Sequence, residues 1–185
     1  AECNVRLSTQ NYDKLLAGWA DQAVQAGVTF DAPSLQYSSV GADARASLIS
    51  SKSWTITDGG QAVFLVGSNG VTITCDDASI GDTGVIDGVT YTKRVLSDIT
   101  PDNAAATCTS GITDMSGLFA DSASFNEDIS HWDTSDVTSM ASMFKGAGAF
   151  NQSLNGWDVS AVTNMQEMFS GASAFNADIS AWNVS

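Results

Sequence analysis

Apolar residues in the last third of the chain recur at a fixed interval of 25 residues, beginning with Met115, Met140 and Met165. Five further sets keep the same spacing: Leu118, Met143 and Met168; Phe119, Phe144 and Phe169; Phe125, Phe150 and Phe175; Ile129, Leu154 and Ile179; and Trp132, Trp157 and Trp182. Units with a fixed period bury their apolar faces on one another. The pattern therefore predicts a solenoid in which every set forms a column through the core.

Two segments of each repeat carry signals for local structure. The residues after the second phenylalanine predict a strand, and V-T-x-M-x-x-M-F predicts one short helical turn. Asparagine follows that phenylalanine and is expected to bond to main-chain groups of adjacent coils, at Asn126, Asn151 and Asn176. Hydroxyl residues are expected to cap the turn, at Ser135, Ser160, Ser185, Thr138 and Thr163. A flat hydroxyl-bearing face that binds ice or a polysaccharide is the alternative interpretation.

Residues 1–60 carry the pattern of a small α/β segment. A helix is predicted to begin after Ser8 or Thr9 and to stop before Gly27, with its apolar residues at helical spacing. Those residues are Tyr12, Leu15, Leu16, Trp19 and Ala23. A second, weaker helix is predicted over residues 42–51, followed by a strand over residues 54–57. This segment is expected to act as a cap.

Residues 61–108 carry only β signals. The runs AVFLV, VTITC and VIDGVTYTKR alternate in the manner of short strands, and Asp87-Gly88 stands where a two-residue hairpin turn is favoured. The chain is therefore predicted to consist of an α/β cap at 1–60, a β-hairpin module at 61–108 and the repeats at 109–185.

The composition favours a folded, acidic protein. Hydrophobic residues make up 43% of the chain, and 7 basic against 21 acidic residues give a formal net charge of −14. Such a charge repels nucleic acids and anionic membrane surfaces, so neither is expected as a partner. The longest apolar run, Ala62 to Val66, is too short to cross a bilayer, and no membrane insertion is expected.

The three cysteines predict one disulfide. Cys75 and Cys108 lie in the segment before the repeats, and closing the loop between them would stabilise the fold by about 3 to 4 kcal/mol. This bond implies an oxidising compartment, hence a secreted or cell-surface protein. Cys3 is expected to be joined to neither. It would be a free thiol, or paired with another chain or with a cysteine outside this sequence.

No motif predicts catalysis or a cofactor. The sequence lacks G-x-S-x-G, H-E-x-x-H and a phosphate loop. Its single histidine, His131, aligns with Gly156 and Ala181 of the other repeats and is expected to be a loop residue. We therefore expect a protein that is not an enzyme.

Calcium is the one ligand ion that the sequence raises. Asp76, Asp77 and Asp82 lie within one turn-rich loop, and calcium prefers several oxygen ligands in such a loop. Their spacing matches no EF-hand, so these residues are weak candidates and solvated surface acids are the favoured interpretation.

The repeat W-D-V-S-x-V-T-x-M-x-x-M-F-x-G-A-x-x-F-N-x-D-I-S resembles that of BspA-like bacterial surface proteins, a family related to leucine-rich repeats and seen in Mycoplasma surface lipoproteins. The similarity spans about residues 109–185. The matching positions are Trp157, Asp158, Ser160, Val162, Thr163, Met165, Met168, Phe169, Gly171, Ala172, Phe175, Asn176, Asp178 and Ile179. Departures are mild: Gly148 and Ser153 replace serine and aspartate, and Leu118 replaces methionine.

The resemblance implies a short leucine-rich-repeat-like solenoid at the cell surface, with roles in adhesion or surface architecture. No ligand or catalytic residue is implied. Residues 8–60 resemble the capping segment that follows such arrays, and residues 75–115 resemble the lead-in to a new array.

A cap-like segment before the repeats predicts a head-to-tail assembly or filament of identical chains. The last repeat is expected to be covered by the next copy, whose helix would supply Leu15, Leu16 and Trp19. The face so covered would consist of Met165, Met168, Phe169, Phe175, Ile179 and Trp182.

Two alternatives stay open at this stage. One is an adhesin module that binds a glycan or host protein through exposed positions that vary between coils. These positions are His131, Gly156 and Ala181, with Asp121, Gly146 and Gly171. The other is a fragment of a longer tandem surface protein.

Overall fold

The computed structural model describes residues 7–184 and divides the chain into two compact units, with the boundary between Leu65 and Val66. Residues 66–108 of the predicted β-hairpin segment fall within the same unit as the repeats, whereas its first five residues, 61–65, belong to the first unit. Cys3 and Ser185 lie outside the described residues.

The first unit is a parallel β-α-β arrangement preceded by a helix. Helix α1 spans Thr9–Ala20, strand β1 Thr29–Ala32, helix α2 Ser39–Lys52 and strand β2 Thr55–Asp58. Strands β1 and β2 pair in parallel, with Phe30 opposite Ile56. Both helices begin at a serine cap, because the Ser8 side chain accepts from Asn11 N–H and the Ser38 side chain accepts from Val40 N–H. Helix α2 and strand β2 thus agree with the sequence prediction to within about three residues. Helix α1 begins where predicted but ends at Ala20, well before the predicted stop at Gly27, so Ala23 lies outside it.

The core of this unit consists of Tyr12, Leu16, Leu48 and Trp54. A buried carboxylate fixes the two helices together, since Asp13 on α1 accepts hydrogen bonds from the Ser38 N–H at 2.9 Å and from the Ser38 hydroxyl at 2.6 Å. Gly41 stands where an added Cβ would collide with the Asp13 carboxylate, so the close approach of α1 and α2 requires glycine there.

Five further short strands, which include one antiparallel hairpin, precede the repeats along the chain, and the first of them spans the boundary between the two units. Strand β3 spans Leu65–Val66 and β4 Ile73–Thr74, followed by β5 at Thr83–Ile86, β6 at Val89–Lys93 and β7 at Thr107–Cys108. The last three form one sheet in the order β5-β6-β7. Asp87 and Gly88 have φ values of 50° and 85°, the left-handed conformation that a two-residue hairpin turn of this type requires. The predicted hairpin is therefore confirmed.

The repeats are built from turns and isolated bridges. Between residues 109 and 184 the structure assigns no helix or strand, and parallel bridges join Asp114 to Ser139 and Ser139 to Asn164. The predicted strand after the second phenylalanine and the predicted helical turn are both wrong. Instead, the residues before and around each methionine form the main-chain hydrogen bonds that join consecutive repeats.

The core of the repeats is continuous along the stack. Met115, Met140, Phe119 and Phe144 are completely buried, as is Trp132. None of the helices in the described part of the chain is long and apolar enough to cross a membrane.

Candidate interaction site

Consecutive repeats are joined by a regular row of main-chain hydrogen bonds. In the first repeat, the N–H groups of four alternate residues, 115 to 121, donate to carbonyls 24 residues later in the second. The pairs are Met115 to Ser139 at 2.9 Å, Gly117 to Ala141 at 2.9 Å, Phe119 to Met143 at 2.9 Å and Asp121 to Lys145 at 2.6 Å. The second repeat donates to the third in the same way, at 2.8 to 2.9 Å, from Met140, Ser142, Phe144 and Gly146. We call these segments, 115–121, 140–146 and 165–171, the arcs.

All four N–H groups of an arc point toward the following repeat because left-handed residues interrupt the backbone at fixed positions. Ser142 and Glu167 have φ values of 56° and 55°, and Gly117 at the equivalent position of the first repeat has 68°. A chain that alternates in this way turns successive N–H groups to one side. Each arc therefore has a donor side and an acceptor side.

Side chains add further ladders with the same period. The Asn126 side-chain oxygen accepts from Asn151 N–H at 2.9 Å, and the Asn151 oxygen accepts from Asn176 N–H at 2.8 Å. The predicted asparagine ladder is confirmed. Thr138 and Thr163 do not cap helices as predicted, because each hydroxyl donates to the threonine carbonyl of the preceding repeat, at 3.0 and 3.1 Å.

The predicted aromatic columns are present as stacked rings. Phe144 lies 5.9 Å from Phe119 and 5.6 Å from Phe169, and the rings are nearly parallel. Trp132 and Trp157 stack at 6.2 Å with an interplanar angle of 4°. Buried tryptophans need a partner for the indole N–H, and here each donates to a carbonyl of the preceding coil. These aromatic residues therefore pack one coil against the next.

The front of the stack is closed by residues 99–113, of which the sequence prediction assigned only residues 109–113 to the repeats. Trp132 donates to the Ala104 carbonyl, the same contact that Trp157 makes with Ile129 one repeat later. The Thr109 hydroxyl donates to the Asp133 carbonyl, as Thr134 does to Asp158. Residues 99–113 therefore occupy one more layer in the same register. The signal was available, because the position 25 residues before Thr134 is also threonine.

The back of the stack is open. The N–H groups of Met165, Glu167, Phe169 and Gly171 donate no hydrogen bond within the described residues, although their equivalents in both earlier repeats do. We call these four groups the N–H row. Beside it lies a cavity of about 730 Å³.

The six residues predicted to face an assembly partner gather at this end. We call them the open face: Met165, Met168, Phe169, Phe175, Ile179 and Trp182, of which all but Met168 are only partly buried. An ion pair joins Lys145 to Glu167 at the edge of the arcs. The hydrogen bond and charge of Lys145 lower the pKa of Glu167 below its ordinary value.

The helix residues predicted to cover this face are held inside the first unit. Leu16 is completely buried, and Trp19 packs on Phe30 and Trp54 with ring centroids 5.1 and 5.3 Å apart. Leu15 is also partly buried against the same core. A contact through Leu16 would require that unit to open, so Leu16 is not available as expected. Leu15 and Trp19 are only partly buried, and a head-to-tail contact through them stays a prediction.

Of the six positions expected to form an adhesive surface, Asp121, Gly171 and Ala181 are exposed, whereas His131 is buried and Gly146 and Gly156 are partly buried. His131 is 8% exposed rather than an exposed loop residue, and its Nε2 lies 3.0 Å from the Thr107 carbonyl. Because a carbonyl only accepts, Nε2 carries the proton. Burial lowers the pKa of His131, a shift that the hydrogen bond to Thr107 and the charge of Asp128 partly offset. The predicted exposure of His131 is wrong.

The aligned position in the second repeat is covered by the loop between β3 and β4. An added Cβ on Gly156 would lie 3.2 Å from the Ser130 carbonyl and 3.5 Å from the Val71 side chain. Ala181, in the third repeat, is exposed. The residue at this aligned position therefore differs between repeats because a different segment packs beside each one.

The second set of variable positions lies in the arcs. Asp121 has a φ of 59°, and an added Cβ on Gly146 would lie 2.6 Å from its carboxylate. Gly171 follows in the same column with a φ of 77°. The residue type at these positions is therefore restricted to those that tolerate a left-handed backbone.

Cys75 and Cys108 form the predicted disulfide, with Cα atoms 6.3 Å apart and both side chains completely buried. Beside it, the Ser110 hydroxyl donates to the Asp133 carboxylate at 2.6 Å and accepts from Cys75 N–H at 3.0 Å. The bond thus ties the start of the second unit to the layer that closes the front of the stack.

Two of the three calcium candidates, Asp76 and Asp82, have separate surroundings. Asp82 accepts from Ser79 N–H at 2.8 Å, while the Lys93 ammonium donates to the carbonyls of Cys75 and Asp76. Asp76 lines a polar cleft of about 480 Å³ together with Asp133, Asp136 and Asp158. No three acidic, histidine or cysteine residues of the described chain are grouped to hold a metal ion.

Comparison with known proteins gives one family. The model of a family described as "Mycoplasma protein of unknown function, DUF285" matches residues 92–185. No curated protein and no solved structure matches the chain. The match begins before the three obvious repeats and includes the layer at 99–113.

Proposed function

This chain belongs to the DUF285 family of Mycoplasma proteins of unknown function, and we propose that it is a structural protein of the extracellular surface. In this proposal the second unit is a short leucine-rich-repeat-like solenoid of the BspA-like type and performs no catalysis. The observation that carries the proposal is the ladder between repeats, because main-chain groups, the asparagine side chains and the tryptophan indoles at recurring positions all bond one coil to the next.

The buried disulfide supports the extracellular part of the proposal. Cys75 and Cys108 are bonded and completely inaccessible, which suits a compartment in which thiols are oxidised. Cytosolic proteins seldom keep a structural disulfide of this kind. The bond also holds the closing layer at the front of the stack, so its loss would affect the repeats directly.

The surroundings of the histidine and of a buried carboxylate of the second unit, Asp133, support a structural role over catalysis. A general base needs a nucleophile or substrate proton within hydrogen-bond reach. His131 Nε2 faces a main-chain carbonyl and its ring packs on Tyr91. Asp133 accepts from the hydroxyls of Ser110 and Ser135. Both groups fix loops of the fold.

Surface labelling of intact source cells tests the location. The chain should react with a membrane-impermeant amine reagent and be removed by external protease, while a cytosolic marker protein stays unlabelled. Alkylation under denaturing, non-reducing conditions should leave Cys75 and Cys108 unmodified. A chain protected from protease, with both cysteines alkylated as free thiols, would contradict an extracellular role.

A further inference from the structure

We propose that Asn155 is a site of spontaneous deamidation, and that the product loosens the second repeat from the loop between β3 and β4. The sequence contains two Asn-Gly pairs, Asn155-Gly156 and Asn69-Gly70. Hydrogen bonds hold the reacting groups of the second pair, whereas those of the first pair make none within the described residues. The two pairs of one chain should therefore differ in reactivity.

Deamidation of an Asn-Gly pair needs no enzyme or cofactor. The main-chain nitrogen of the glycine attacks the side-chain amide carbon of the asparagine, and the new C–N bond closes a succinimide ring. The side-chain amino group leaves with the proton of the attacking nitrogen as ammonia. Water then opens the ring at either carbonyl and gives aspartate or isoaspartate. Glycine favours ring closure because it has no Cβ to obstruct the attack and its backbone reaches more conformations.

The reacting groups of the first pair are not held. Asn155 is exposed, its side chain forms no hydrogen bond within the described residues, and the Gly156 N–H donates none there. The main-chain N–H of Asn155 makes a long bond of 3.5 Å to the Ser153 hydroxyl. The turn around the pair is closed by the Trp157 N–H, which donates to the Leu154 carbonyl at 3.1 Å. Ring closure at this pair therefore has few bonds to break.

The second pair is held by its own side chain and main chain. The Asn69 side-chain oxygen accepts from Val71 N–H at 3.0 Å and from Thr72 N–H at 2.9 Å, and its nitrogen donates to the Thr72 hydroxyl at 2.8 Å. The Gly70 N–H, whose nitrogen would attack, donates to the Gly67 carbonyl at 3.0 Å. Ring closure requires these bonds to break, so Asn69 should react at least about tenfold more slowly than Asn155.

The products change a contact between the second repeat and the β3–β4 loop. An added Cβ on Gly156 would lie 3.5 Å from the Val71 side chain, and the Gly156 carbonyl accepts from the Asn69 side chain at 3.5 Å. Isoaspartate at position 155 routes the main chain through the former side chain and lengthens it by one atom, which displaces Gly156. Aspartate adds a negative charge beside the cleft that Gly156 lines with Asp158. Both products should therefore weaken this contact.

Incubation of the folded chain at mildly alkaline pH, followed by peptide mapping with mass spectrometry, tests the site. Asn155 should convert with time to a mixture of aspartate and isoaspartate, while Asn69 in the same sample keeps its amide. In denaturant both pairs should react at similar rates. No conversion at Asn155 in the folded chain, or equal conversion of both pairs there, would overturn the proposal. A difference that persists in denaturant would contradict the role given to the hydrogen bonds.

Two variants test the cause and the consequence. Thr72→Ala removes the acceptor of the Asn69 side-chain nitrogen and should raise the rate of conversion at Asn69 by about two- to tenfold; an unchanged rate would contradict the protection.

Asn155→Gln keeps the amide but slows the attack, because a larger ring would have to form. The melting temperature of this variant should stay constant during incubation, whereas that of the wild-type chain should fall as Asn155 converts. A fully converted wild-type chain that melts at its original temperature would overturn the inferred loosening.

Discussion

The side-chain oxygen of Asn151 accepts a hydrogen bond from the main-chain N–H of Asn176 at 2.8 Å, exactly one period further along the chain. The same residue donates its own N–H to Asn126 at 2.9 Å. The side chains of Asn126 and Asn151 thus each satisfy a main-chain donor of the next coil, at positions that are exposed to solvent.

Replacing Asn151 tests this ladder. Asn151→Ala leaves the Asn176 N–H without its acceptor and should lower the free energy of unfolding by about 0.5 to 1.5 kcal/mol. The control is Asn176→Ala, because the Asn176 side chain accepts from no main-chain N–H within the described residues. Chemical denaturation of both variants should separate them. Equal losses would show that the ladder contributes nothing specific.

The tryptophan column gives a second comparison. Trp157 stacks on Trp132 and is 4% exposed, so Trp157→Ala should cost about 3 to 5 kcal/mol of unfolding free energy. Trp182 is only partly buried at the open face, and Trp182→Ala should cost clearly less. Thermal melts of the two variants measure the difference. An unchanged melting temperature for Trp157→Ala would refute the column as a source of stability.

Removing the disulfide should lower the free energy of unfolding without changing the folded structure. The double variant Cys75→Ala, Cys108→Ala releases a loop with a sequence separation of 33 and should lose about 3 to 4 kcal/mol by the chain-entropy estimate. Denaturant unfolding of the oxidised wild-type chain and the variant measures this directly. Reducing agent should affect the wild-type chain and leave the variant unchanged; a variant as stable as the oxidised chain would exclude a stabilising role.

His131 should make stability depend on pH. Burial lowers its pKa in the folded state, whereas in the unfolded chain it titrates near about 6.5. As the pH falls below the unfolded value, the unfolded chain binds a proton that the folded chain does not yet bind. The free energy of unfolding should therefore fall until the pH passes the lower, folded pKa.

The variant His131→Gln removes this titration while keeping a side-chain N–H near the Thr107 carbonyl. Its stability should fall less than that of the wild-type chain between neutral and mildly acidic pH, measured by denaturation at a series of pH values. Parallel curves for the two proteins would show that other groups cause the acid sensitivity.

Gly156 should tolerate no branched side chain. In Gly156→Val the new Cβ would lie 3.2 Å from the Ser130 carbonyl and near Val71, so the β3–β4 loop must move, at a cost of about 1 to 3 kcal/mol. Ala181→Val at the aligned exposed position should change stability little. Comparing melting temperatures decides whether the difference between coils reflects this packing.

The sequence by itself determined which residues of the three repeats lie in register with one another. The 25-residue period placed Phe119, Phe144 and Phe169 in one column, because equal intervals along a stack bring equal positions into contact. Local chemistry was also readable: Asp87-Gly88 predicted the hairpin turn, Ser8 the start of α1, and the cysteines their bond.

Only the tertiary structure decided how the coils bond. Residues before and within the arcs do not show the side-chain pattern of a strand. Their left-handed backbone positions are occupied by serine, glutamate and aspartate as well as glycine, so the residue types do not predict this conformation. Likewise Ser135 and Ser160, expected to cap helices, donate their N–H groups to Asp133 and Asp158. The repeat period predicts which residues of neighbouring coils are in contact. Which of their N–H and C=O groups form hydrogen bonds depends on the backbone conformation.

The environment of single residues was also beyond the sequence. His131 looked like a loop residue because its counterparts are Gly156 and Ala181, yet it is buried beside Tyr91 and Thr107. Residues 99–108 of the layer at 99–113 were not predicted as part of the repeats, because Ala104 stands where the later repeats have isoleucine or leucine. In both cases the deciding contact joins residues far apart in the chain, and the fold alone brings them together.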